Sequence, residues 1–588
     1  MPFTPPTWAS GFDVDEIPDS IPICEFIFNE KYGRFKRKDS KAPFVCGVSG
    51  RQYSVSEVAQ RVDWLARSLS QQLGWKPNSG SPWTKVITIY ALNTIDSLPL
   101  SWAVHRLSGI SSPANSAYSV SELAHQLKSS GSKALFTCWS LLEAAIAAAR
   151  DVGIDEHHIY ILQTPDEALT GRSVSGNFKT VDELISQGQG LSQLDNLVWE
   201  RGQGARQCAF LNFSSGTTGL PKGVVVSHKN VIANILQLTA FEKPSRTPDQ
   251  QDVVLGLLPQ SHIYGLIVVC HTSIYRGESV IVMPKFDLML LARAIQQFRI
   301  NVLFVVPPLV ISILNNQSLL ARFDLSSVRE IFTGAALLDA GLCRKLLLQY
   351  PSWKIRQAYG LTESATVISA TPPNDIMLGS AGNLISGVEA RLVSLTTGAE
   401  VTKYETPGEL FVRSPSVTYL GYLNNAKATK ETFGASPDDW LRTGDEAMFV
   451  LGQSGHAHLV IVDRIKELIK VKGHQVPPAE LEACLLTHSQ VADAAVIPVP
   501  DSKAGEVPKA FVVLKRGHGE QKLLSQEEKE RMKRYLQEHI RKEKARYKWL
   551  KGGVEFVKVI PKSPSGKILR RILRDRERER RKDRVAKL

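Results

Sequence analysis

Cysteine is scarce and long apolar runs are absent in this sequence of 588 residues. Its seven cysteines are odd in number and never closely spaced, which excludes a disulfide scaffold and favours reduced thiols inside a cell. The longest apolar run, Val302 to Leu314, contains Pro307-Pro308 and is far shorter than the roughly 20 residues of a membrane helix. The first residues contain no basic or apolar segment typical of a secretory signal. We therefore expect no membrane span and no secretion.

Aromatic residues make up 8% of the chain and charged residues 22%, which is the composition of an ordinary globular protein. The net charge is +13, and it is concentrated near the carboxyl end. Residues 570–588 hold ten Lys/Arg against four Asp/Glu, a net of +6. The acids are interspersed and aromatic residues are missing there, which argues against stacking on nucleic-acid bases. We expect a flexible basic tail over 573–588 and no nucleic-acid partner.

Strand-like and helical runs alternate from residue 44 to about 200, and again from 253 to 370. This alternation predicts an α/β protein with layered sheets and helices. Short strands separated by Gly and Pro between 385 and 460 predict a small β-rich subdomain. The pattern after Asp463-Arg464 predicts a compact α+β unit. We expect a large amino-terminal domain over 1–463, containing the α/β subdomains and the β-rich subdomain, and a small α+β domain over 464–572.

The strongest local motif is Ser214-Ser-Gly-Thr-Thr-Gly-Leu-Pro-Lys-Gly223, directly after the apolar strand CAFLNF. Glycines let a backbone approach an anion, hydroxyls donate hydrogen bonds, and Lys222 adds positive charge. The order Gly-x-x-Gly-x-x-Lys-Gly differs from the Walker pattern, which excludes a P-loop kinase. For the string GTTG alone, a flexible surface loop is the alternative. The ten residues in order predict a phosphate-binding loop.

Five more motifs follow in order, and together with this loop they resemble the adenylate-forming superfamily of acyl- and aryl-CoA synthetases. They are Gly334-Ala-Ala336, Tyr359-Gly-Leu-Thr-Glu363, Thr443-Gly-Asp445, the ribbon from Asp463 to Gly473, and Pro561-Lys-Ser-Pro-Ser-Gly-Lys567. The resemblance runs from about residue 25 to 572 and is nearest to the 4-coumarate:CoA ligase-like branch. One departure is Leu337-Leu338, where family members often have Pro-Leu after Gly-Ala-Ala.

The resemblance implies a two-step reaction. ATP and a small carboxylic acid would form acyl-AMP with release of pyrophosphate, and coenzyme A would then take the acyl group. Glu363 would contact Mg²⁺. The implied nucleotide-binding residues are Ser214, Ser215, Gly216, Thr217, Thr218, Gly219, Lys222, Gly334, Ala335, Gln357, Ala358, Tyr359, Gly360, Thr362, Asp445, Arg464 and Gln475.

The family likeness also implies that one small domain serves both steps. Lys567 would act in adenylation and Lys470 in thioester formation, as the carboxy-terminal domain rotates about a hinge at Lys466. His262, in the segment from Leu258 to Gly265, would close over the acid's carboxylate. Tyr264, Gly334, Thr366 and Val367 would line the acyl pocket, with room for an aromatic or medium-chain acid. Lys285, Lys472 and Gly473 would lie along coenzyme A.

Alternatives remain for the acceptor, the activity and the location. The acyl-AMP could go to a carrier protein or, as in luciferase, to oxygen, and a catalytically silent nucleotide-binding scaffold is a further reading. The sequence leaves the oligomeric state open. The last residues, Ala586-Lys587-Leu588, resemble a peroxisomal address. They predict an import receptor as partner and a peroxisomal location, with the cytoplasm as the alternative.

Overall fold

The part of the chain that the structure describes forms four β-sheets with helices packed on them. The computed structural model describes residues 2–165, 177–214, 221–434, 439–472, 474–501, 503–515, 525–563 and 566–585. Residues 582–585 are described by their backbone alone. The strands, in chain order, are β1 (Phe44–Cys46), β2 (Val86–Tyr90), β3 (Ile110–Pro113), β4 (Ala134–Thr137), β5 (Ile159–Ile161), β6 (Cys208–Ser214), β7 (Lys222–Ser227), β8 (Val253–Gly256), β9 (Ser279–Val282), β10 (Val302–Val305), β11 (Glu330–Thr333), β12 (Lys354–Leu361), β13 (Thr366–Ala370), β14 (Asn383–Leu384), β15 (Glu389–Val393), β16 (Glu400–Val401), β17 (Gly408–Arg413), β18 (Leu441–Leu451), β19 (Ala457–Arg464), β20 (Ile469–Val471), β21 (His474–Val476), β22 (Val491–Asp501), β23 (Gly505–Leu514) and β24 (Val554–Phe556).

The helices cover both faces of the larger sheets. In chain order they are α1 (Ile23–Phe26), α2 (Val55–Leu73), α3 (Ser97–Arg106), α4 (Val120–Ser130), α5 (Leu142–Val152), α6 (Val181–Gln189), α7 (Gln203–Arg206), α8 (His228–Glu242), a π-helix (Tyr264–Thr272), α9 (Ser273–Tyr275), α10 (Leu288–Phe298), α11 (Pro307–Asn315), α12 (Gln317–Leu320), α13 (Ala340–Gln349), α14 (Ala426–Phe433), α15 (Pro478–Thr487), α16 (Gln526–Glu543) and α17 (Arg570–Val585). Within the described residues, no helix has the length and apolarity needed to cross a membrane.

Two large, mostly parallel sheets build the amino-terminal region. One has the order β5-β4-β2-β3-β6-β7 and the other β1-β9-β8-β10-β11-β12-β13-β14. Helix α8 contacts β7 of the first sheet and β13 of the second, so it lies between them. Ser227 begins this helix, because its side chain accepts a hydrogen bond from the backbone of Asn230. The antiparallel pair β6–β7 closes one end of the first sheet, and the antiparallel pair β12–β13 carries the first residues of the YGLTE motif in the second.

A five-stranded antiparallel sheet, β16-β15-β17-β18-β19, forms the β-rich part. The following region has its own sheet, β21-β20-β23-β22, with β24 paired to β23, and its helices α15 and α16 pack on that sheet. Its buried side chains, from Ile469 to Leu573, form a hydrophobic core of their own. The α/β fold class, with a β-rich part and a small α+β unit at the carboxyl end, is confirmed.

The basic carboxyl end differs from the flexible tail expected. Residues 570–585 form helix α17, which packs against β22. Two acids explain the docking, because Glu577 of α17 pairs with Lys509 of β23, and Glu555 of β24 pairs with Arg576 of α17. Leu573 is buried in the core beneath the helix. The charge content alone predicted a solvated extension. In the structure, Glu577 and Leu573 of α17 attach the helix to the sheet.

Candidate active site

The phosphate loop connects the two strands of an antiparallel hairpin. Ser214 ends β6 and is paired with Lys222, which begins β7, so both lie at the base of the loop. The predicted contacts Ser215, Gly216, Thr217, Thr218 and Gly219 lie outside the described residues. Helix α8 follows β7 directly. The two described ends of the motif, Ser214 and Lys222, therefore face each other across the β6–β7 pair, and β7 leads into helix α8.

Asp445 is held in place by two of the residues predicted to surround the nucleotide. Tyr359 donates its hydroxyl to Asp445 Oδ2 at 2.6 Å, and Arg464 Nε lies 2.7 Å from Oδ1. Asp445 is 2% exposed. Burial raises the pKa of its carboxyl, and the charge of Arg464 acts against that rise. The result is an oriented, buried carboxylate at the place where ribose hydroxyls are expected.

The segment after β11 carries a backbone constraint. Ala335 has a φ of 66°, which an alanine rarely adopts. The side-chain amide of Gln357 accepts from Leu338 N at 3.0 Å and donates to Leu338 O at 3.1 Å. Gln357 therefore fixes the Gly334–Leu338 turn with its side chain, despite the Leu337-Leu338 departure. Its predicted nucleotide contact, and that of Ala358, stays a prediction.

The four residues predicted to line the acyl pocket lie close together. A Cβ atom on Gly334 would stand 3.3 Å from the ring of Tyr264, and Thr366 Oγ1 donates to Ile263 O at 3.1 Å. Val367 follows Thr366 and is buried. Two further rings join this group, namely Phe304, which meets Tyr264 edge-on at 6.2 Å, and Phe332, which lies 5.5 Å from Phe304.

Phe304 and Phe332 were not predicted from the sequence. Tyr264 donates its hydroxyl to Phe332 O at 2.9 Å, so the two residues are fixed to each other. A usable signal existed, because both phenylalanines stand near the carboxyl ends of parallel strands β10 and β11, where open α/β sheets bind ligands.

Thr366 is strained. Its φ is 103°, an outlier for a β-branched residue. Such backbone strain is about 1–3 kcal/mol and persists only where the surroundings hold it. Here a Cβ on Gly360 would clash with Thr366 O at 1.6 Å, and Thr366 O accepts from Ser364 Oγ at 2.9 Å. The strained turn follows the YGLTE motif, and the hydrogen bond from Thr366 to Ile263 O attaches it to the segment that contains His262.

Replacing Thr366 by valine is expected to raise the KM for the acid about fivefold. The variant keeps the shape but loses the hydrogen bond to Ile263 O, which is worth about 1 kcal/mol. The KM for ATP should change less than twofold, and Thr366→Ser, which keeps the hydroxyl, should resemble the parent. Initial-rate measurements with each substrate varied in turn check this. An equal rise of both KM values would show a general disturbance instead.

Lys567 enters the cleft from the carboxy-terminal region. It is half-buried and interacts electrostatically with Glu363, Asp445 and Arg464. Burial lowers the pKa of the Lys567 ammonium, as does Arg464, while Glu467, Asp445 and Glu363 favour the charged form. One ammonium group thus faces the predicted metal contact and the predicted ribose contact together.

His262 lies close enough to Lys567 to sense its charge. Burial in the first place, and Lys567 in the second, lowers the pKa of His262 to about 4. The imidazole is therefore neutral near pH 7. Its Nδ1 accepts from Tyr264 N at 3.3 Å, which leaves the proton on Nε2. A neutral N–H donor suits a ligand carboxylate.

Glu363 could hold Mg²⁺ together with a nucleotide. It lies in a short turn with Thr362, and its Oε1 accepts from the hydroxyl of Tyr422 at 2.7 Å. Across the described ranges, His, Cys, Asp and Glu form no group of three or more that could hold a metal. The chain thus offers one carboxylate here, which fits Mg²⁺, since that ion takes most ligands from phosphates and water.

The described residues predicted for coenzyme A transfer lie on the surface, as do the predicted hinge and Gln475, which is predicted to contact the nucleotide. Lys470 on β20 and Gln475 on β21 are exposed, as are Lys466, Lys472 and Lys285. The backbone N–H of Lys470 donates to Glu506 at 2.9 Å. Gly473 lies outside the described residues. The arrangement thus presents Lys567, and not Lys470, to the cleft.

Comparison with known proteins agrees with these features. The model of the AMP-binding enzyme family matches residues 34–423, and that of the AMP-binding enzyme C-terminal domain matches residues 480–567. The chain is 38% identical to the acyl-CoA ligase easD of Emericella nidulans over 574 residues, covering 98% of this chain and 100% of that protein. It is 40% identical to the acyl-CoA ligase AFT1-1 of Alternaria alternata, covering 98% and 97% of the two chains.

Among solved structures, the anthranilate CoA ligase AuaEII in complex with anthranoyl-AMP has a TM-score of 0.78 at 22% identity, covering 96% of this chain and 98% of that one. This likeness shows the shared fold. The narrower resemblance to 4-coumarate:CoA ligases stays a prediction. The family models and the full-length relatives show that this chain belongs to the AMP-binding enzyme family and is an adenylate-forming acyl-CoA synthetase.

Proposed function

We propose that this acyl-CoA synthetase activates an aromatic carboxylic acid, using Lys567 to form the acyl-AMP and Lys470 to transfer the acyl group to coenzyme A. The observation that carries the proposal is the placement of the turn before Lys567, where a Cβ on Gly566 would stand 2.9 Å from Val306, just after β10. From there the ammonium of Lys567 interacts electrostatically with Glu363, Asp445 and Arg464. Two separate regions of the chain supply these groups, so their meeting is a product of the tertiary fold.

The adenylation step needs positive charge between two anions. The acid's carboxylate attacks the α-phosphate of ATP, a new C–O–P linkage forms, and the bond to pyrophosphate breaks. Negative charge concentrates on the oxygens around the α-phosphate, where a fixed ammonium stabilises it. Lys567 supplies that ammonium, and neutral His262 donates Nε2–H to the acid's carboxylate without adding charge.

Glu363 would hold Mg²⁺, which neutralises phosphate charge when bound. The remaining groups orient the nucleotide. Asp445 accepts the ribose hydroxyls, and its position is kept by Tyr359 and Arg464. Lys222 and Ser214 lie at the base of the phosphate loop. These residues bind and align the substrate, so the attack begins from a set geometry.

Transfer to coenzyme A uses a second arrangement of the same domain. Rotation about Lys466 would withdraw Lys567 and bring the exposed Lys470 to the cleft, with Gln475 at the bound nucleotide and Lys472, Gly473 and Lys285 along coenzyme A. The thiol releases its proton to solvent as its sulfur bonds to the acyl carbon, and the bond from that carbon to the phosphate oxygen breaks, so that AMP leaves. Domain motion lets one pocket serve both reactions, because each lysine occupies the same place in turn.

The aromatic preference rests on the walls of the acyl region. Tyr264, Phe304 and Phe332 form an edge-to-face series beside Thr366 and Val367. Pairs of aromatic rings in such geometry contribute about 0.5–1.5 kcal/mol beyond the area that they bury. A flat ring in the substrate would add one more such contact.

A screen of acids by pyrophosphate release tests this proposal. Benzoic, phenylacetic and hydroxycinnamic acids are compared with medium-chain fatty acids at saturating ATP, with and without coenzyme A. We expect the best aromatic acid to exceed the best fatty acid about tenfold in kcat/KM, in line with an aromatic contact of about 1.4 kcal/mol. A better fatty acid would refute the aromatic class, and acid-independent ATP binding without turnover would indicate a silent scaffold.

The peroxisomal location and the import receptor stay predictions, with the cytoplasm as the alternative. Ala586-Lys587-Leu588 lies outside the described residues.

A further inference from the structure

Tyr422 contacts two separate parts of the nucleotide site. Its hydroxyl donates to Glu363 Oε1 at 2.7 Å, and the Nζ atom of Lys222 lies over its ring, 4.9 Å from the centroid. Neither contact is visible in the sequence, since Tyr422 is 59 residues from Glu363 and lies far from the phosphate loop in the chain. One side chain thereby touches both the phosphate-loop lysine and the predicted metal contact.

The backbone around Tyr422 is fixed to the strand that follows the phosphate loop. Leu423 N donates to Gly223 O at 2.8 Å, Val225 N donates to Gly421 O at 2.9 Å, and Tyr422 forms a bridge with Val224. Its ring also packs on Phe433, with the centroids 5.5 Å apart. The loop around Tyr422 is also fixed to the YGLTE turn, because Thr418 N donates to Glu363 O at 2.9 Å. Tyr422 therefore lies in a loop that is bonded to both β7 and the YGLTE turn.

We propose that Tyr422 is a positioning residue that couples the phosphate loop to the metal-binding carboxylate, its ring seating Lys222 and its hydroxyl orienting Glu363. The inference rests on the proposed function, because it takes Lys222 and Glu363 as ligands of one nucleotide–Mg²⁺ complex. It goes beyond that function by proposing that Tyr422 sets how far apart Lys222 and Glu363 are held.

Two physical effects carry the coupling. The face of an aromatic ring attracts a cation, so the ring holds the ammonium of Lys222 near the loop. A donor on one oxygen of a carboxylate fixes its rotation and leaves the other oxygen for a metal, and loss of such supporting contacts commonly lowers metal affinity 10–100-fold. The hydroxyl and the ring therefore have separable roles.

Calorimetric titration of ATP, with and without Mg²⁺, separates these roles without measuring turnover. Tyr422→Phe keeps the ring and its packing on Phe433, and should weaken binding of the Mg²⁺–ATP complex about tenfold while changing metal-free ATP binding less than twofold. Tyr422→Leu removes the ring as well, and should weaken metal-free ATP binding too, because Lys222 loses its seat.

The control is Tyr419→Phe, which removes a hydroxyl from the same loop that donates instead to Asp439 O at 3.0 Å. It should bind both forms of ATP like the parent. Glu363→Gln combined with Tyr422→Phe should be no weaker for Mg²⁺–ATP than Glu363→Gln alone, since the hydroxyl acts through that carboxylate. Thermal unfolding of each variant confirms the folded state before titration.

The outcomes distinguish this inference from the function beneath it. If Tyr422→Phe binds Mg²⁺–ATP like the parent, or if its loss simply adds to that of Glu363→Gln, Tyr422 does not position the carboxylate, and the proposal is overturned. If the parent itself binds no ATP, the proposed function fails first. A tenfold, Mg²⁺-dependent loss confined to the hydroxyl supports the coupling.

Discussion

Substitution of Lys567 by alanine is expected to lower the rate of acyl-AMP formation about 10²–10³-fold, the loss typical when one preorganised group that stabilises developing charge is removed. Conversion of supplied acyl-AMP and coenzyme A to the thioester should stay within about threefold of the parent. The reason is electrostatic, because Lys567 interacts with Glu363 and Asp445 in the arrangement that this structure shows, which is the one proposed for adenylation. Acid-dependent exchange of pyrophosphate into ATP measures the first half-reaction. Loss of the free thiol of coenzyme A measures the second.

Lys562→Ala is the matched control for this variant. Lys562 belongs to the same turn, is bridged to Ile568, and pairs with Asp493 at 2.6 Å. Its loss should leave both half-reactions within about twofold, since a partly exposed ion pair contributes only about 0–1 kcal/mol. Equal loss of both half-reactions in Lys567→Ala would contradict a role specific to adenylation.

Substitution of Lys470 by alanine is expected to give the opposite pattern. Transfer of the acyl group to coenzyme A should fall about 10²-fold, while pyrophosphate exchange stays near that of the parent. Lys470 is exposed on β20, between the buried Ile469 and Val471, so its removal should not disturb the core. Single-turnover assays that start from purified acyl-AMP isolate the step.

Lys503→Ala serves as the control for Lys470. Lys503 is exposed and precedes Ala504, whose carbonyl accepts from Lys472 N at 2.9 Å, so it lies beside the same ribbon. It should behave like the parent in both assays. Normal thioester formation by Lys470→Ala would remove Lys470 from the proposed mechanism and would require another group to serve that step.

Both lysines can be carried by one moving body because a buried arginine ties their segments together. Arg570, three residues after Lys567, forms ion pairs with Glu467, next to the predicted hinge, and with Glu482 of α15. Breaking a buried pair of this kind by removing one partner destabilises a protein by about 3–5 kcal/mol. The turn that carries Lys567 and the ribbon that carries Lys470 therefore stay in a fixed relation to each other.

A contact across the predicted hinge must change when this body rotates. Asp463 Oδ2 accepts from Ala479 N at 3.0 Å, at the beginning of α15. Burial raises the pKa of the Asp463 carboxyl to about 6, although Arg570 acts against that rise. Under the proposed rotation, this hydrogen bond would have to break or move with the domain.

Local features of the fold could be predicted from the sequence because they depend on neighbours in the chain. In the alternating region from residue 44 to about 200, Ser119 and Glu122 form a capping box at the start of α4, and the apolar runs KVITIYAL and KALFTC contain β2 and β4. The prediction of a flexible basic tail was wrong for residues 573–585, which belong to helix α17. Its burial depends on Glu555, Lys509 and Leu573, which come together only when β23 and β24 are paired.

The motifs identified the chemistry of this enzyme, since a phosphate loop, lysines and the order of the short segments are properties of the chain itself. The tertiary structure decided which lysine interacts with Glu363 and Asp445, which rings meet Tyr264, and that Tyr422 contacts both Lys222 and Glu363. Those contacts join side chains tens to hundreds of residues apart, and short-range sequence patterns do not determine the distances between such groups. The packing of α8 between two sheets and the docking of the carboxy-terminal domain determine these distances.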